Sequence, residues 1–394
     1  MERSTIYTLA ALATAILGLS VAFGRAPNAA ASRRVPSDAN EVLETLAVAA
    51  GDPRSREVTE LRRALERDPK NVRAAARLAE LDIRLSRERS DPRYLGHAQA
   101  ALEPWWVTPD APEEILVLRA TIEQSLHDFP SALRDLDRAV ATRPDDVQAW
   151  LTRATVLTVR GRYVEARESC AKVVGLAPSV VAAVCRAQID GVNGRAKEAL
   201  DSLTPFTRTR LAYDMQSWVL GTLGELALRS GDRAAAKAYF DRVLALDPED
   251  QYIRAAAADL ALDTGAFDEA IALTKGREVN DGHLLRLALA EHRANSKDAE
   301  AHRAMLAARF DASRLRGDVV HRREESRYWL ELGGDPARAL SLAKDNWEVQ
   351  KEPWDVRVLL EAARAARASA DGDPARAWAR STHLEDPVIA ELVK

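Results

Sequence analysis

Residues 113–178 read EEILVLRATIEQSLHDFPSALRDLDRAVATRPDDVQAWLTRATVLTVRGRYVEARESCAKVVGLAP, and this stretch decides the fold. It contains one unit twice, because five landmark positions of the first copy recur 34 residues later in the second. The pairs are Leu116 and Trp150, Ala120 and Ala154, Ala132 and Ala166, Ala139 and Val173, and Pro144 and Pro178. A fixed period of this size indicates stacked helical hairpins, since one hairpin cannot bury its apolar face alone.

The second copy adds a glycine and an aromatic residue to the pattern. Its landmark positions within residues 147–180 are Trp150, Ala154, Gly161, Tyr163, Ala166, Val173 and Pro178. Gly161 marks the turn between the two helices, where the chain needs a positive φ or a helix C-cap, and Pro178 ends the unit because proline cannot continue a helix. This order of residue types resembles the tetratricopeptide repeat. The resemblance implies an all-α, right-handed superhelical solenoid whose first helices line a concave surface.

The composition agrees with a solenoid rather than with a single globular core. The chain has 394 residues, more than one hydrophobic core usually contains, and aromatic residues make up only 5% of it. Charged residues reach 29%, yet the formal net charge is −4 and no long block of like charge occurs. Because general nucleic-acid binding requires a basic stripe, we predict no nucleic acid among the partners.

We divide the chain into four segments. Residues 1–24 are a signal peptide or membrane anchor, and residues 25–40 are a polar spacer. Residues 41–278 form the repeat array, and residues 279–394 form degenerate helical repeats with a C-terminal cap. This division places an N-terminal hydrophobic helix before the solenoid, and it leaves the oligomeric state open.

The uncharged stretch IYTLAALATAILGLSVAF at residues 6–23 is the second strong signal. Its 18 residues are long for the core of a signal peptide and just sufficient to span a bilayer. Alanines at positions 29–31 suit a signal peptidase, so a cleaved signal and an uncleaved anchor both stay open. Arginines at positions 25, 33 and 34 favour a cytoplasmic side under the positive-inside rule. We nevertheless predict a cell-envelope protein, either anchored in the inner membrane and facing the periplasm or periplasmic after cleavage, because this layout is usual for exported anchored proteins.

The chain has two cysteines, Cys170 and Cys185, and two do not make a disulfide framework. They fall in the second helix of one unit and the first helix of the next, and such helices pack together. The interpretation we favour is two small, buried, apolar side chains. The alternative is one disulfide, which requires an oxidising compartment.

The sequence contains no motif for catalysis or for metal binding. It lacks a glycine-rich phosphate loop, a nucleophile elbow, an H-E-x-x-H motif and a cysteine pair at zinc spacing. His283, His292 and His302 would approach one another only if two helices and their turn align, so we interpret them as ordinary helix histidines. We therefore predict a non-enzymatic protein without cofactor or metal.

The resemblance allows the partner-binding residues of the concave surface to be assigned by their offsets in the repeat. The predicted residues are Gln124, Leu151, Thr155, Val184, Gln188, Trp218, Glu225, Arg229 and Tyr252. Leu151, Val184, Trp218 and Tyr252 would supply apolar anchors, and the polar members would supply hydrogen bonds. This mixture favours an amphipathic helix or an extended segment of another protein over a charged tail.

Three arginines recur at the same position of successive units. Arg119, Arg153 and Arg186 are 34 and 33 residues apart, so they are expected to form a ladder along successive first helices. The simpler interpretation is that their aliphatic stems pack while their charged heads reach water. The functional interpretation is a carboxylate-binding ladder for a partner.

Residues 321–362 resemble the C-terminal part of exported, membrane-anchored bacterial tetratricopeptide-repeat proteins of unassigned role. Trp329, Trp347 and Trp354 are available there to anchor the end of the array, either as a cap or as a docking surface. The function we predict is a protein–protein interaction scaffold of the cell envelope that binds a partner segment in its groove. The alternative is an accessory subunit of a membrane transport or assembly complex, docked through its N-terminal anchor and C-terminal cap.

Overall fold

The computed structural model describes residues 54–394, and its regular elements are all helical within that range. The α-helices are α1 (Arg54–Arg67), α2 (Val72–Arg89), α3 (Arg93–Ala101), α4 (Glu113–Ser125), α5 (Phe129–Thr142), α6 (Val147–Val159), α7 (Tyr163–Lys172), α8 (Ser179–Gly191), α9 (Ala196–Leu203), α10 (Tyr213–Arg229), α11 (Arg233–Leu246), α12 (Gln251–Thr264), α13 (Phe267–Thr274), α14 (Asp281–Arg293), α15 (Ala299–Arg316), α16 (Arg322–Tyr328), α17 (Pro336–Val349), α18 (Pro353–Ala365), α19 (Asp373–Ser381) and α20 (Pro387–Leu392). Short 3-10 helices span Glu103–Trp105, Thr204–Arg208 and Ser369–Gly372, and a π-helix spans Trp329–Gly333. The all-α prediction is therefore confirmed for the described part of the chain.

The predicted N-terminal hydrophobic helix at residues 6–23 and the spacer at residues 25–40 lie outside the described residues. From residue 54 onwards, no helix combines the length and the apolar character that a bilayer crossing requires. The membrane segment thus stays a prediction from the sequence.

Aspartate side chains begin several of the helices that start a hairpin. Asp146 accepts a hydrogen bond from the backbone N–H of Ala149 at 2.7 Å, and Asp250 accepts one from that of Ile253 at 2.9 Å. Such an N-cap satisfies a backbone N–H that has no partner inside its helix, and it contributes about 1 kcal/mol. Both aspartates follow a proline that closes the preceding unit, so these short turns separate one hairpin from the next.

Small residues, among them the alanine landmarks of the repeat, lie where the two helices of a hairpin cross. Ala132 and Ala166 are completely buried, and Ala154 is 3% exposed. In α10, a Cβ atom added at Gly224 would clash with the ring of Phe240 in α11. Helices approach this closely only where one of them carries a small side chain, so these residues set the spacing of the hairpins.

The C-terminal helices pack on one another as further hairpins, and they also contact units 188 residues earlier in the chain. The C-terminal cap stays a prediction from the sequence. The backbone N–H of Lys351 donates to the carbonyl oxygen of Val159 at 2.8 Å, and Arg160 donates to that of Glu348 at 3.0 Å. The bidentate pair of Arg357 with Asp263 joins α18 to α12 at 2.7 and 2.8 Å.

Candidate functional site

The first helices of the repeats and the C-terminal helices line a cavity of about 250 Å³ that is open to solvent on one side. Helices α6, α8, α10, α12 and α14 supply one wall, and α16, α18 and α20 supply the other. The volume is slightly below the roughly 300–1,000 Å³ of typical ligand pockets, so the cavity accommodates a few side chains or a small ligand. The predicted residues that line it are Thr155, Gln188, Glu225, Arg229 and Tyr252.

The other predicted partner-binding residues do not line this cavity. Leu151, Val184 and Trp218 pack together in one hydrophobic core and are 2%, 0% and 6% exposed, and Gln124 is 1% exposed. These positions lie at the seam between neighbouring helices rather than on the open inner face. Leu151, Val184 and Trp218 use their apolar surface for packing within the array, which corrects their prediction as anchors, and Gln124, predicted to supply a hydrogen bond, is buried as well.

The predicted arginine ladder is engaged by carboxylates of the same chain. Arg119 is buried, binds Asp135 through two nitrogens, one of them at 2.6 Å, and donates to the carbonyl oxygen of Trp105 at 2.5 Å. Arg153 donates to Asp137 at 2.7 Å, whereas Arg186 has a largely exposed side chain. None of the three lines the cavity. Arg119 does not follow the simpler interpretation, because its charged head is buried in an ion pair within the chain instead of reaching water. The carboxylate-binding ladder stays a prediction.

Glu225 and Tyr252 form a hydrogen-bonded pair on the cavity wall. The hydroxyl group of Tyr252 donates to Glu225 Oε1, which joins α12 to α10. Burial raises the pKa of Glu225 from its usual 4.5 to about 7, and the positive charge of Arg229 opposes this rise. The carboxyl group is therefore close to half-ionised near neutral pH, and it can act there as a hydrogen-bond donor or as an acceptor.

Asp259 holds together three helices at the cavity. It lies 2.5 Å from Arg286 of α14 and 2.6 Å from Arg327 of α16. Burial alone would raise the pKa of Asp259, but the attraction of the two guanidinium groups outweighs it and keeps that pKa below its usual range. The carboxylate stays charged and doubly paired, so it fixes α16 against the inner face.

The inner face of α18 carries an aromatic ring between two guanidinium groups. Trp354 lies 4.6 Å from Arg327 and 4.4 Å from Arg357, measured from each guanidinium carbon to the ring centroid. These cation–π contacts orient both arginines toward the carboxylates of α12. Trp354, Trp347 and Trp329 all pack in one hydrophobic core formed by the C-terminal helices. The three tryptophans therefore contact other residues of this chain.

His283 lines the cavity as a neutral ring. Its Nε2 lies 2.7 Å from Gln251 Oε1, and its buried Nδ1 has no hydrogen-bond partner in the described part of the chain. Burial, with a contribution from Arg286 and other nearby arginines, lowers the pKa of His283 to about 3. Across residues 54–394 no three His, Cys, Asp or Glu side chains form a group that could hold a metal ion.

Sequence reasoning missed the contribution of the C-terminal helices to this site. Lys351, Glu352 and Arg357 line the cavity although they belong to the segment predicted as an end cap. One weak signal was available: Asp259 and Asp263 are charged residues four positions apart on an alanine-rich inner helix. Two carboxylates on the same face of a helix need cations from another element only where that element buries them, as it does at Asp259.

Cys170 and Cys185 form a disulfide, with their Cα atoms 5.7 Å apart. The bond joins α7 to α8, and Cys185 lines the cavity. The favoured interpretation, two unpaired cysteines packed as small apolar side chains, is thus wrong, and the alternative of one disulfide is correct. The close packing of adjacent hairpin helices brings the two positions within the separation that a disulfide requires.

Comparisons with known proteins agree with this architecture. Residues 117–180 and residues 227–276 each match a family model described as tetratricopeptide repeat. No curated protein shows significant similarity to the chain in sequence.

Similar solved structures are also helical-repeat proteins, at low identity. The type IV pilus biogenesis factor PilW is 19% identical, with 50% of this chain and 94% of that chain covered and a TM-score of 0.40. PilF of Pseudomonas aeruginosa is 19% identical over 52% and 91%, with a TM-score of 0.38. A thermophilic protein of Thermus thermophilus is 18% identical over 48% and 98%, with a TM-score of 0.39. Likeness at this level carries no information on function. The two matched segments, in contrast, are tetratricopeptide repeats, and the chain contains this repeat in both of them.

Proposed function

We propose that the protein is a non-enzymatic interaction scaffold of the cell envelope, which binds a segment of a partner protein at its central cavity. Its tetratricopeptide repeats support the general role of a protein–protein interaction scaffold. The observation that carries the specific proposal is the cavity itself. Five predicted binding residues from four first helices, α6, α8, α10 and α12, meet on its wall.

The occupied inner face favours an extended segment over a bound helix. Asp259 and Asp263, which project from α12, are already paired with Arg327 and Arg357 of the protein's own C-terminal helices. A ligand helix lying along the groove would have to displace one buried and one half-buried ion pair. An extended segment needs only to insert a few side chains into the cavity of about 250 Å³.

The chemistry of the wall indicates a polar, uncharged group at the inserted end. Gln188 offers both an amide donor and an amide acceptor, and Glu225 near neutral pH offers either role. Arg229 is positioned nearby, with Asp386 at 3.8 Å. Because the positive and negative groups of this wall face each other, a strongly charged ligand would leave one of them unpaired.

Two observations support an envelope location. Residues 6–23 contain no charge over a length that suits a signal peptide or an anchor. The disulfide between Cys170 and Cys185 is a bond that persists in oxidising compartments and is rare in the cytosol. We propose that residues 54–394 lie in the periplasm, either behind an inner-membrane anchor or released after cleavage.

Site-specific photocrosslinking in native membranes tests this function. A photoreactive phenylalanine analogue at Gln188 of the tagged full-length chain should form a crosslink to one partner protein. The matched control is the same analogue at Glu168, which is exposed on the outer helix α7. Equal labelling from both positions, or no crosslink from Gln188 in a folded chain, would contradict the cavity model.

A further inference from the structure

The last residues of the chain, 373–394, form an arm that lies across the turns of the repeat units. We define the arm as helices α19 and α20 with their connection. It contacts the turn at Gly161, then the turn at Gly194, and then the turn at Gly231. These are the turns between the two helices of successive units, whereas the next turn, at Gly265, has no neighbour within 4 Å of an added Cβ.

A glutamate of the arm caps a helix of the array. The backbone N–H of Ala196, the first residue of α9, donates to Glu385 Oε2 at 2.9 Å. The N-cap residue of α9, Arg195, makes no side-chain cap of its own. A carboxylate at this end of a helix also interacts favourably with the helix dipole. The arm therefore supplies a cap that α9 otherwise lacks.

The next two residues of the arm fit the neighbouring unit. Asp386 accepts hydrogen bonds from Val388 and Ile389 at 3.0 and 3.1 Å and so begins α20, and it lies 3.8 Å from Arg229. Pro387 follows at the first helical position, where its ring is pre-organised for a helix. The Glu-Asp-Pro sequence is thus both a helix start and the contact with the array.

Two turn glycines make room for the arm. A Cβ at Gly194 would lie 2.8 Å from the carbonyl oxygen of His383, and one at Gly231 would lie 3.3 Å from Pro387. Both glycines also have positive φ, 67° and 82°, which other residues rarely adopt. The turns of these units are therefore shaped for a chain lying directly against them.

The second half of the arm is held by little buried surface. Helix α19 belongs to the core of the C-terminal helices through Ala375, Ala379 and Trp378, whereas beyond Ser381 only Thr382 and Ile389 are buried. Segments with few buried apolar contacts open well before the whole protein unfolds. Because residues 386–389 line the cavity, opening of the arm would uncover it.

We propose that the turns of residues 194–196 and 229–231 form a docking surface for a short helix that begins with two carboxylates and a proline, and that the arm occupies this surface in competition with a partner segment of that chemistry. This inference rests on the proposed scaffold function and names its regulation: the helix would bind on the turns at the rim, where the arm lies, whereas the uncharged extended segment inserts into the cavity that release of the arm uncovers. The partner segment would replace the arm, with its carboxylates on the Ala196 amide and on Arg229.

The test uses a fluorescent peptide of residues 373–394 and the full-length protein. The unaltered chain should bind the peptide at least tenfold more weakly than a chain with E385R and D386R, whose arm can no longer compete. A peptide that carries the same two substitutions should not bind to either chain. The control substitution E391R, at an exposed residue paired only with Lys394 in the described chain, should leave binding unchanged. Equal binding to the unaltered and doubly substituted chains, or binding to neither, would overturn the proposal.

A second measurement covers the case in which the double variant fails to fold. Spin labels at K197C and A390C, both exposed positions, report the distance from the arm to α9 in an otherwise unaltered chain. Without peptide, the two labels should show a single short distance. Excess peptide should add a second, longer distance between them, and an unchanged distance distribution would refute a releasable arm. Either failure is independent of crosslinking from Gln188, so the two proposals can fail separately.

Discussion

Replacing Asp259 by asparagine is the most direct test of what holds the C-terminal helices on the inner face. The Asp259 side chain is 6% exposed, and it binds two guanidinium groups at 2.5 and 2.6 Å. Arg286 and Arg327 are themselves 14% and 6% exposed, so neither can turn to water. The substituted amide would keep one acceptor oxygen but would lose the charge that balances two buried cations.

Removing one member of a buried ion network typically costs about 3–5 kcal/mol, because the remaining charge is buried without compensation. We expect a loss of this size in the free energy of unfolding, measured by urea denaturation followed by circular dichroism. Hydrogen exchange should localise the effect: amides of α16 and α18 should exchange faster, and those of α6 should change less.

The matched control is Asp241→Asn on the outer helix α11. Asp241 pairs with Lys237 at 3.0 Å, and the two side chains are 57% and 48% exposed. An exposed pair of this kind contributes about 0.5 kcal/mol or less. If Asp259→Asn costs no more than this control, the buried triad does not fix α16, and the cavity loses its structural explanation.

Three further predictions address the disulfide, the packing and the pH dependence. Replacing Cys170 and Cys185 by serine should lower the free energy of unfolding by about 3 kcal/mol, the value for a closed loop of about 15 residues, and a reductant should have the same effect on the unaltered protein. Gly224→Ala should destabilise the protein by about 1–3 kcal/mol in thermal melts, because its new Cβ atom clashes with the Phe240 ring. Gly96→Ala in α3 is the control: its Cβ atom would meet open space, so this substitution should stabilise the protein by about 0.5–1 kcal/mol. In the folded state the pKa of Glu225 is about 7, whereas in the unfolded state it is near 4.5. As the pH rises from 4.5 to 7, the free energy of unfolding should therefore fall by up to about 3 kcal/mol relative to that of the Glu225→Gln variant. Parallel stability–pH profiles of the two proteins would contradict this.

The repeat architecture could be predicted from the sequence because it depends on local periodicity. The 34-residue spacing within residues 113–178 is a property of neighbouring units, and the hairpins α4–α5 and α6–α7 form there as expected. Interactions within and between adjacent repeats determine such folds, so a short stretch contains the necessary information. The same logic identifies the small residues at the helix crossings.

The placement of individual side chains on the inner face was harder to predict. Leu151 and Thr155, like Val184 and Gln188, are four positions apart, which corresponds to a rotation of about 40° around the helix axis. That rotation separates the seam between helices, where Leu151 and Val184 are buried, from the cavity wall, where Thr155 and Gln188 lie. A family offset specifies the helix and its general face, but it does not resolve this angle.

The return of the C-terminus could not be predicted from any local pattern. The contact of Arg160 with Glu348 joins residues 188 positions apart, and it depends on how far the solenoid has curved over the intervening units. Small rotations between repeats accumulate into that curvature, and the spacing of the landmark residues does not encode them. The sequence places Asp259 and Asp263 four positions apart on α12, but it does not show that Asp259 is buried, so it does not require a distant cationic partner.

A self-occupied inner face has a quantitative consequence for binding. A ligand that needs an open surface has an apparent dissociation constant equal to the intrinsic one divided by the open fraction. An arm that covers its surface in about 99% of molecules would therefore weaken a partner about 100-fold, without any change in the contacts that the partner makes. Because the arm and a partner would share the Ala196 amide and Arg229, substitutions at Glu385 and Asp386 should raise the affinity for the peptide by the inverse of the open fraction, which is tenfold or more if the arm is open in at most about a tenth of molecules. A substitution at Arg229 should act differently, because it removes a contact from the bound arm and from the bound partner alike. Its effect on the apparent affinity should therefore be smaller than the effect of removing the contact from the arm alone or from the partner alone.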